Sequence, residues 1–136
     1  MRAVISCAIA LLFACSPSTR SDVSEEDVRL SVEPAEVAAG DSITLVLNNQ
    51  SSDRIGYNLC TSELERSTAG RWEIVPSDRV CTMELRTLPP AEEARYPLDL
   101  PSGLAAGEYR YSTKVERLGT GDRTDLRSDV FRVRSR

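Results

Sequence analysis

Apolar residues recur at every second position along most of the chain from residue 27 to residue 134. In the stretch VRLSVE, Val28, Leu30 and Val32 share one face of an extended chain, and the residues between them are polar. This period-two alternation predicts β-strands that bury one face, and no amphipathic helical stretch of useful length interrupts it. The sequence therefore predicts an all-β domain.

The remaining runs follow the same pattern and are separated by turn-forming residues. Pro97 interrupts one run, and because proline cannot donate a ladder hydrogen bond, we place that strand at a sheet edge or at a bulge. In all, about eight strands in about 108 residues are predicted, which is typical of a β-sandwich. The positions that share a face are Ile43, Leu45 and Leu47; Ile55, Tyr57 and Leu59; Leu64; Trp72 and Ile74; Cys81, Met83 and Leu85; Tyr96, Leu98 and Leu100; Tyr109, Tyr111, Thr113 and Val115; and Phe131 and Val133.

A short apolar segment precedes the β-rich part of the chain. Arg2 is followed by mostly apolar residues from 3 to 14, and residues 16–26 are polar apart from Val23. The apolar segment is too short to cross about 30 Å of hydrocarbon, which needs about 20 residues, but it matches the apolar core of a signal peptide. We therefore interpret residues 1–14 as a signal helix, residues 15–26 as a disordered tether, and residues 27–136 as the folded domain.

Leu12-Phe13-Ala14-Cys15 resembles the lipobox of bacterial lipoproteins. The resemblance implies cleavage before Cys15 and attachment of a diacylglyceryl group to its sulfur, usually with a third acyl chain. Several chains hold a protein stably at a membrane, whereas one chain holds it reversibly. With Ser16 next, the resemblance implies the outer membrane where the organism has one, and a location in the bacterial cell envelope. The alternatives are ordinary cleavage near Ala14 and a Cys15 that simply lies in an apolar helix.

Cys60 and Cys81 are the two cysteines left in the predicted domain. An even number of cysteines in an exported protein predicts a disulfide, the alternative being two buried free thiols. The bond would close a loop of about 22 residues and stabilise the fold by about 3 kcal/mol. A zinc site would need more ligands, and the chain has no histidine.

The charge and the motifs argue against nucleic-acid binding and catalysis. The chain has 17 basic and 21 acidic residues, and loss of Arg2 with the signal leaves a net charge of about −5, whereas nucleic acid requires basic patches. Without histidine the usual general base is missing, and no nucleophile elbow or phosphate-binding loop is present. We expect no enzyme activity and no cofactor. The acidic residues weighed and set aside as catalytic groups or calcium ligands are Glu63, Glu65, Glu92, Glu93, Asp122, Asp125 and Asp129.

Three stretches together resemble the immunoglobulin-like (Ig-like) domains of small exported bacterial proteins: GDSITLVLNNQSSDRIGY, ELERSTAGRWEIVP and LPPAEEARYPLDLPSGLAAGEYRYSTKV. The resemblance implies an antiparallel Ig-like sandwich of about seven or eight strands. Within its last stretch, Tyr109 is placed to form a tyrosine corner, in which the hydroxyl bonds the preceding backbone; the alternative is an ordinary core tyrosine. Trp72, the single tryptophan, is expected to anchor the core.

The leading functional hypothesis is a non-catalytic binding or accessory module at the cell envelope, held there by the lipid on Cys15. Loops on a rigid scaffold carry function disproportionately, so we expect the loops Asn49–Arg54 and Leu118–Asp125 to contact an envelope protein. A second hypothesis is an inhibitor of an extracytoplasmic hydrolase, with a loop made rigid by the disulfide near CTSELE or VPSDRVC. A third is a structural envelope component that assembles through edge strands.

Overall fold

The computed structural model describes residues 27–135. The predicted signal helix, Cys15 and the tether lie outside the described residues. Residues 27–135 form eleven β-strands and one 3-10 turn, so the predicted all-β sandwich is confirmed. The strands are β1 (Val28–Glu33), β2 (Glu36–Ala38), β3 (Ser42–Asn49), β4 (Ile55–Tyr57), β5 (Glu63–Thr68), β6 (Arg71–Val75), β7 (Arg86–Leu88), β8 (Glu93–Asp99), β9 (Gly107–Arg117), β10 (Arg123–Arg127) and β11 (Phe131–Arg134), and the turn η1 spans Leu59–Thr61.

The strands are divided between two sheets. The first sheet is antiparallel, with the order β1-β3-β8. Because β8 lies at its edge, the prediction that the strand containing Pro97 is an edge strand is confirmed. The chain passes to the second sheet between β1 and β2, where the Glu33–Pro34 peptide bond is cis.

The second sheet is built around β9, which is its longest strand. On one side of β9, the short strands β4 and β5 lie end to end, joined by η1. On the other side, β10 and β11 lie end to end in the same way. The outer positions are taken by β6 beside β5, β7 beside β4, and β2, which runs parallel to β11. This arrangement leaves β6 and β7 in line along one lateral edge.

The core lies between the two sheets and follows the alternation of the sequence. The inward residues of β9, including Tyr109 and Tyr111, are almost fully buried, and the ring of Tyr111 stacks on that of Phe131 with the ring centroids 6.0 Å apart. Burying such side chains contributes about 1.5–3 kcal/mol each relative to leaving them exposed. The buried apolar residues are Val28, Leu30, Val32, Val37, Ala39, Ile43, Leu45, Leu47, Ile55, Leu59, Leu64, Leu88, Leu98, Leu100, Tyr109, Tyr111, Val115, Leu126, Phe131 and Val133.

Two assignments made from the alternation are wrong. Residues 80–85 are not a strand, and only Arg86–Leu88 of the predicted run pairs, as β7. Conversely, residues 123–125 of the predicted loop Leu118–Asp125 belong to β10, because Leu126 supplies a core contact that draws the segment against β9.

Trp72 does not anchor the core, contrary to the prediction. It lies opposite Ser67 in the β5–β6 hairpin, whereas Leu64 of β5 occupies the core position. Since successive residues of a strand point to opposite faces, the register that buries Leu64 places Trp72 on the outer face. There the Arg110 guanidinium lies 4.2 Å from the centroid of its ring.

Tyr109 is fully buried at the start of β9, and its hydroxyl donates a hydrogen bond to the carbonyl of Ala105, 2.7 Å away. This is the contact expected of a tyrosine corner. It fixes the segment that brings the chain from β8 of the first sheet to β9 of the second.

Removal of this hydroxyl should destabilise the domain. We expect Tyr109→Phe to lower the free energy of unfolding by about 1 kcal/mol, because the Ala105 carbonyl loses its donor while the ring stays in place. The matched control is Tyr96→Phe, because among residues 27–135 the Tyr96 hydroxyl has no hydrogen-bond partner. Urea denaturation measures both variants, and equal changes would contradict the corner.

Candidate binding surface

The two loops proposed to contact a partner meet at one pole of the sandwich. The Leu118 N–H donates to the Arg54 carbonyl at 2.9 Å, and the Arg117 guanidinium lies 3.0 Å from the Asp53 carboxylate. The structure therefore brings the predicted loops together. Leu118 and Arg117, the last residue of β9, thus join this end of the domain to Asp53 and Arg54 of the other loop.

Asn49, the first residue of one predicted loop, is a fully buried structural residue. Its amide nitrogen donates to three carbonyl oxygens, those of Asp53, Leu88 and Pro89, at 2.8–3.1 Å. Its side-chain oxygen accepts from the N–H and the hydroxyl of Ser51. Buried polar groups saturated in this way hold loops in place, and they are not accessible to a partner.

The N-terminal segment enters the sandwich at this same pole. The Gln50 N–H donates to the Asp27 carbonyl at 2.7 Å, next to the start of β1. Anything attached ahead of residue 27 therefore leaves from the pole that carries the two predicted loops.

A different segment carries the exposed apolar side chains. Residues 76–85 connect β6 to β7 along the lateral edge of the second sheet, and we call them the tethered loop. Val80 and Met83 are 93% and 92% exposed, and Leu85 is 53% exposed. Ile74, just before the loop, is 58% exposed. In the described part of the chain, the only other large apolar residue exposed to this degree is Val130.

The Cys60–Cys81 disulfide ties the middle of the tethered loop to η1. The Cα atoms of the two cysteines are 5.7 Å apart, so the predicted disulfide is confirmed. Asn58 adds a second tie beside it, because its side-chain nitrogen donates to the Thr82 carbonyl at 2.7 Å. The oxygen of the same side chain accepts from the N–H of Cys60 and caps η1. The loop and the turn are thus joined at neighbouring positions by a covalent and a polar bond.

Each end of the tethered loop is also fixed to the body of the domain. Near its start, the Arg79 guanidinium turns inward and donates to the Ser62 carbonyl at 2.7 Å. Burial raises the pKa of the Tyr111 phenol, and the Arg79 guanidinium beside it opposes that rise. Near its end, Leu85 packs so closely on Gly56 that a Cβ there would lie 2.8 Å from a Leu85 methyl group. A side chain at position 56 would therefore displace the Leu85 side chain.

The backbone of the tethered loop has no regular secondary structure. Residues 76–85 contain no turn or bend, and none of residues 77–85 has a partner in a β-ladder. Two of its backbone groups bond to side chains, since the Arg79 N–H donates to the Ser77 hydroxyl and the Thr82 carbonyl accepts from Asn58. The N–H and C=O groups of an unpaired extended segment are a template for pairing with another chain.

Shallow hollows flank the tethered loop on both sides. One, of about 230 Å³, lies between Val80 and Thr82 of the loop and Tyr57 and Tyr96 of the body. The other, of about 250 Å³, is lined by Ile74 and the disulfide. Each has the size of a site for one side chain of a partner rather than for a drug-sized ligand.

The carboxylates considered as catalytic or metal groups do not converge. Glu65 lies in an ion pair with Arg110 beside Trp72, and Asp129 pairs with Arg29 at 2.8 Å. Within residues 27–135, no group of three or more histidine, cysteine, aspartate or glutamate side chains is placed to hold a metal ion. Glu65 and Asp129 thus lie in separate ion pairs on different parts of the described surface.

The chain matches the model of a known family. A family model described as a bacterial Ig-like domain covers residues 24–130. The chain belongs to this family. Bacterial Ig-like domains are generally non-catalytic accessory modules and are typically extracellular or at the cell surface. No match is found among the curated proteins.

The Ig-like domain is similar in fold to solved structures at low sequence identity. The structural genomics target SoR45 has a TM-score of 0.57 and 15% identity, covering 80% of this chain and 87% of that chain. The putative ApaA protein from Bordetella pertussis has a TM-score of 0.48 and 15% identity, covering 76% and 86%. A β-glucosidase from Listeria innocua has a TM-score of 0.31 and 18% identity, covering 74% of this chain and 16% of the enzyme. The first similarity supports the sandwich fold.

Between residues 27 and 135, no helix has the length and apolar character needed to span a bilayer.

Replacing both Cys60 and Cys81 by alanine should lower the free energy of unfolding by about 3 kcal/mol, because the unfolded chain regains the freedom that the cross-link removes. Urea denaturation measures this change. The freed loop should also be cut faster in limited proteolysis, at sites within residues 76–85. Reductant should reproduce both effects in the wild-type chain and leave the double variant unchanged. A stability equal to that of the wild type would contradict the structural role of the bond.

Proposed function

We propose that this Ig-like domain is a binding module of the bacterial cell envelope that contacts a partner protein through the tethered loop. The observation that carries the proposal is the almost complete exposure of Val80 and Met83 on a loop fixed by a disulfide. Exposed apolar patches mark interaction sites, and Val80, Met83 and Leu85 are all exposed on this one short loop.

The rigidity of the tethered loop favours binding. Ordering a flexible loop on association costs about 0.5–1.5 kcal/mol for each immobilised side chain, on top of the cost of fixing the backbone. Here the disulfide, the Asn58–Thr82 bond and the inward Arg79 already fix the backbone. A partner that covers Val80 and Met83 therefore gains the free energy of apolar burial without the entropic cost of ordering the loop backbone.

The proposal includes a lipid anchor on Cys15, supported by the sequence of residues 12–15. The residues between Cys15 and the domain reach about 36 Å when extended, at about 3.3 Å per residue. They join the sandwich at the pole formed by the loops after β3 and β9. The tethered loop lies on the lateral edge between the two poles, so a partner that approaches from the side does not compete with the anchor.

A second candidate function is inhibition of an extracytoplasmic hydrolase. The double anchoring of the loop favours it, because Cys81 and Thr82 are both tied to the body directly before the exposed Met83.

Cys15→Ser should release the protein from the membrane fraction, because the variant has no sulfur for the lipid to attach to. Fractionation of cells, with intact mass of the extracted protein, measures this. Cys7→Ser is the matched control and should leave the protein in the membrane. An unchanged distribution of the Cys15→Ser protein would contradict the lipid anchor.

A photo-cross-linking residue in place of Met83 should form one discrete product with an envelope protein in cells, because the partner covers this side chain. The same residue in place of Val130, which is exposed outside the tethered loop, is the control and should not form it. Val80→Asp should reduce the yield at position 83 about tenfold, because a charge then replaces an apolar contact. The same product from both positions would contradict the proposed surface.

A further inference from the structure

We infer that the tethered loop occupies the substrate cleft of an extracytoplasmic endopeptidase, with Met83 in the pocket that selects the residue before the scissile bond. This inference rests on the proposed function, because it uses the same surface. The partner is then an endopeptidase, and Met83 is the residue that its pocket binds.

The main chain of the tethered loop has the form that such a cleft accepts. Extended peptides bind by adding a strand to a partner, with main-chain hydrogen bonds supplying affinity and pockets for side chains supplying specificity. Residues 76–85 contain no turn or bend, and none of residues 77–85 has a partner in a β-ladder. The loop therefore offers main-chain donors and acceptors as well as side chains.

The anchors are arranged around Met83. Before it, the Thr82 carbonyl is held by Asn58 and Cys81 is held by the disulfide. Two residues after it, Leu85 packs on Gly56, and β7 begins at the next residue. Only Met83 and Glu84 lie between these fixed points. The peptide bond between them thus lies between two exposed residues, in a segment that is held on both sides.

The side chains define the type of pocket. Met83 is unbranched and 92% exposed, so it can enter a deep apolar pocket. Val80, although equally exposed, is branched at Cβ and borders the hollow beside Tyr57. Arg79 is the single basic residue of the tethered loop, and its guanidinium is turned inward to the Ser62 carbonyl. The loop therefore suits an endopeptidase that prefers large apolar residues and not one that prefers arginine or lysine.

The test is titration of chymotrypsin, subtilisin and trypsin with the purified full-length chain in detergent. We expect competitive inhibition of chymotrypsin or subtilisin and none of trypsin. Met83→Asp should weaken that inhibition about 100-fold, because a carboxylate replaces the group in an apolar pocket. Met83→Lys should transfer inhibition to trypsin, a switch that a purely structural residue would not produce. Val130→Asp, a matched change on exposed surface elsewhere, should have no effect.

Inhibition of none of the three proteases overturns the inference, as does inhibition that Met83→Asp leaves unchanged or rapid cleavage of the loop at position 83. Circular dichroism and urea denaturation of each variant establish that it is folded, and the exposure of Met83 makes retention of the fold the expected result. If the proteases are not inhibited while the cross-link at position 83 persists, the inference fails and the proposed function stands.

Discussion

The structure depends on the pairing of β9 with two shorter strands laid end to end on the same side. The inward side chains of β9 form the centre of the core, and both sheets are organised around them. Between β4 and β5, however, the pairing with β9 is interrupted from Tyr57 to Glu63, where η1 replaces the ladder. The outer strands β6 and β7 pair with β5 and β4, so they are separated at the same position along the sheet. The tethered loop spans this gap.

The gap explains why the disulfide stands where it does. Residues 77–85 make no backbone ladder bonds to hold them against the sheet, and an unpaired lateral segment that carries Val80 and Met83 would be free to move and to associate non-specifically. The Cys60–Cys81 bond and the Asn58 side chain replace the missing ladder at two neighbouring points. The same ties that stabilise the edge also preorganise it.

The sandwich was predictable from the sequence because burial of one face imposes period two on every strand. Alternation of apolar residues does not say which face of a strand is buried against the core. It also does not say whether another strand pairs with the alternating segment. Met83 and Leu85 alternate like strand residues but lie in the tethered loop. Trp72 does lie in a strand, but it faces outward because Leu64 fixes the register of its hairpin. The disulfide was the signal available for the candidate surface, since it marked the segment near VPSDRVC as constrained. Exposure of the apolar side chains in that segment depends on long-range packing, which spacing alone does not encode.

The position of the N-terminal segment gives the loops after β3 and β9 a structural role. Because Asp27 is bonded to Gln50, the loops after β3 and β9 surround the point where the preceding chain leaves the sandwich. Some of their polar groups are bonded within the domain, as the buried Asn49 and the Asp53–Arg117 pair show. The chain ahead of residue 27 therefore leaves from a pole held by these hydrogen bonds, whereas the tethered loop lies along the lateral edge formed by β6 and β7, where the disulfide holds it.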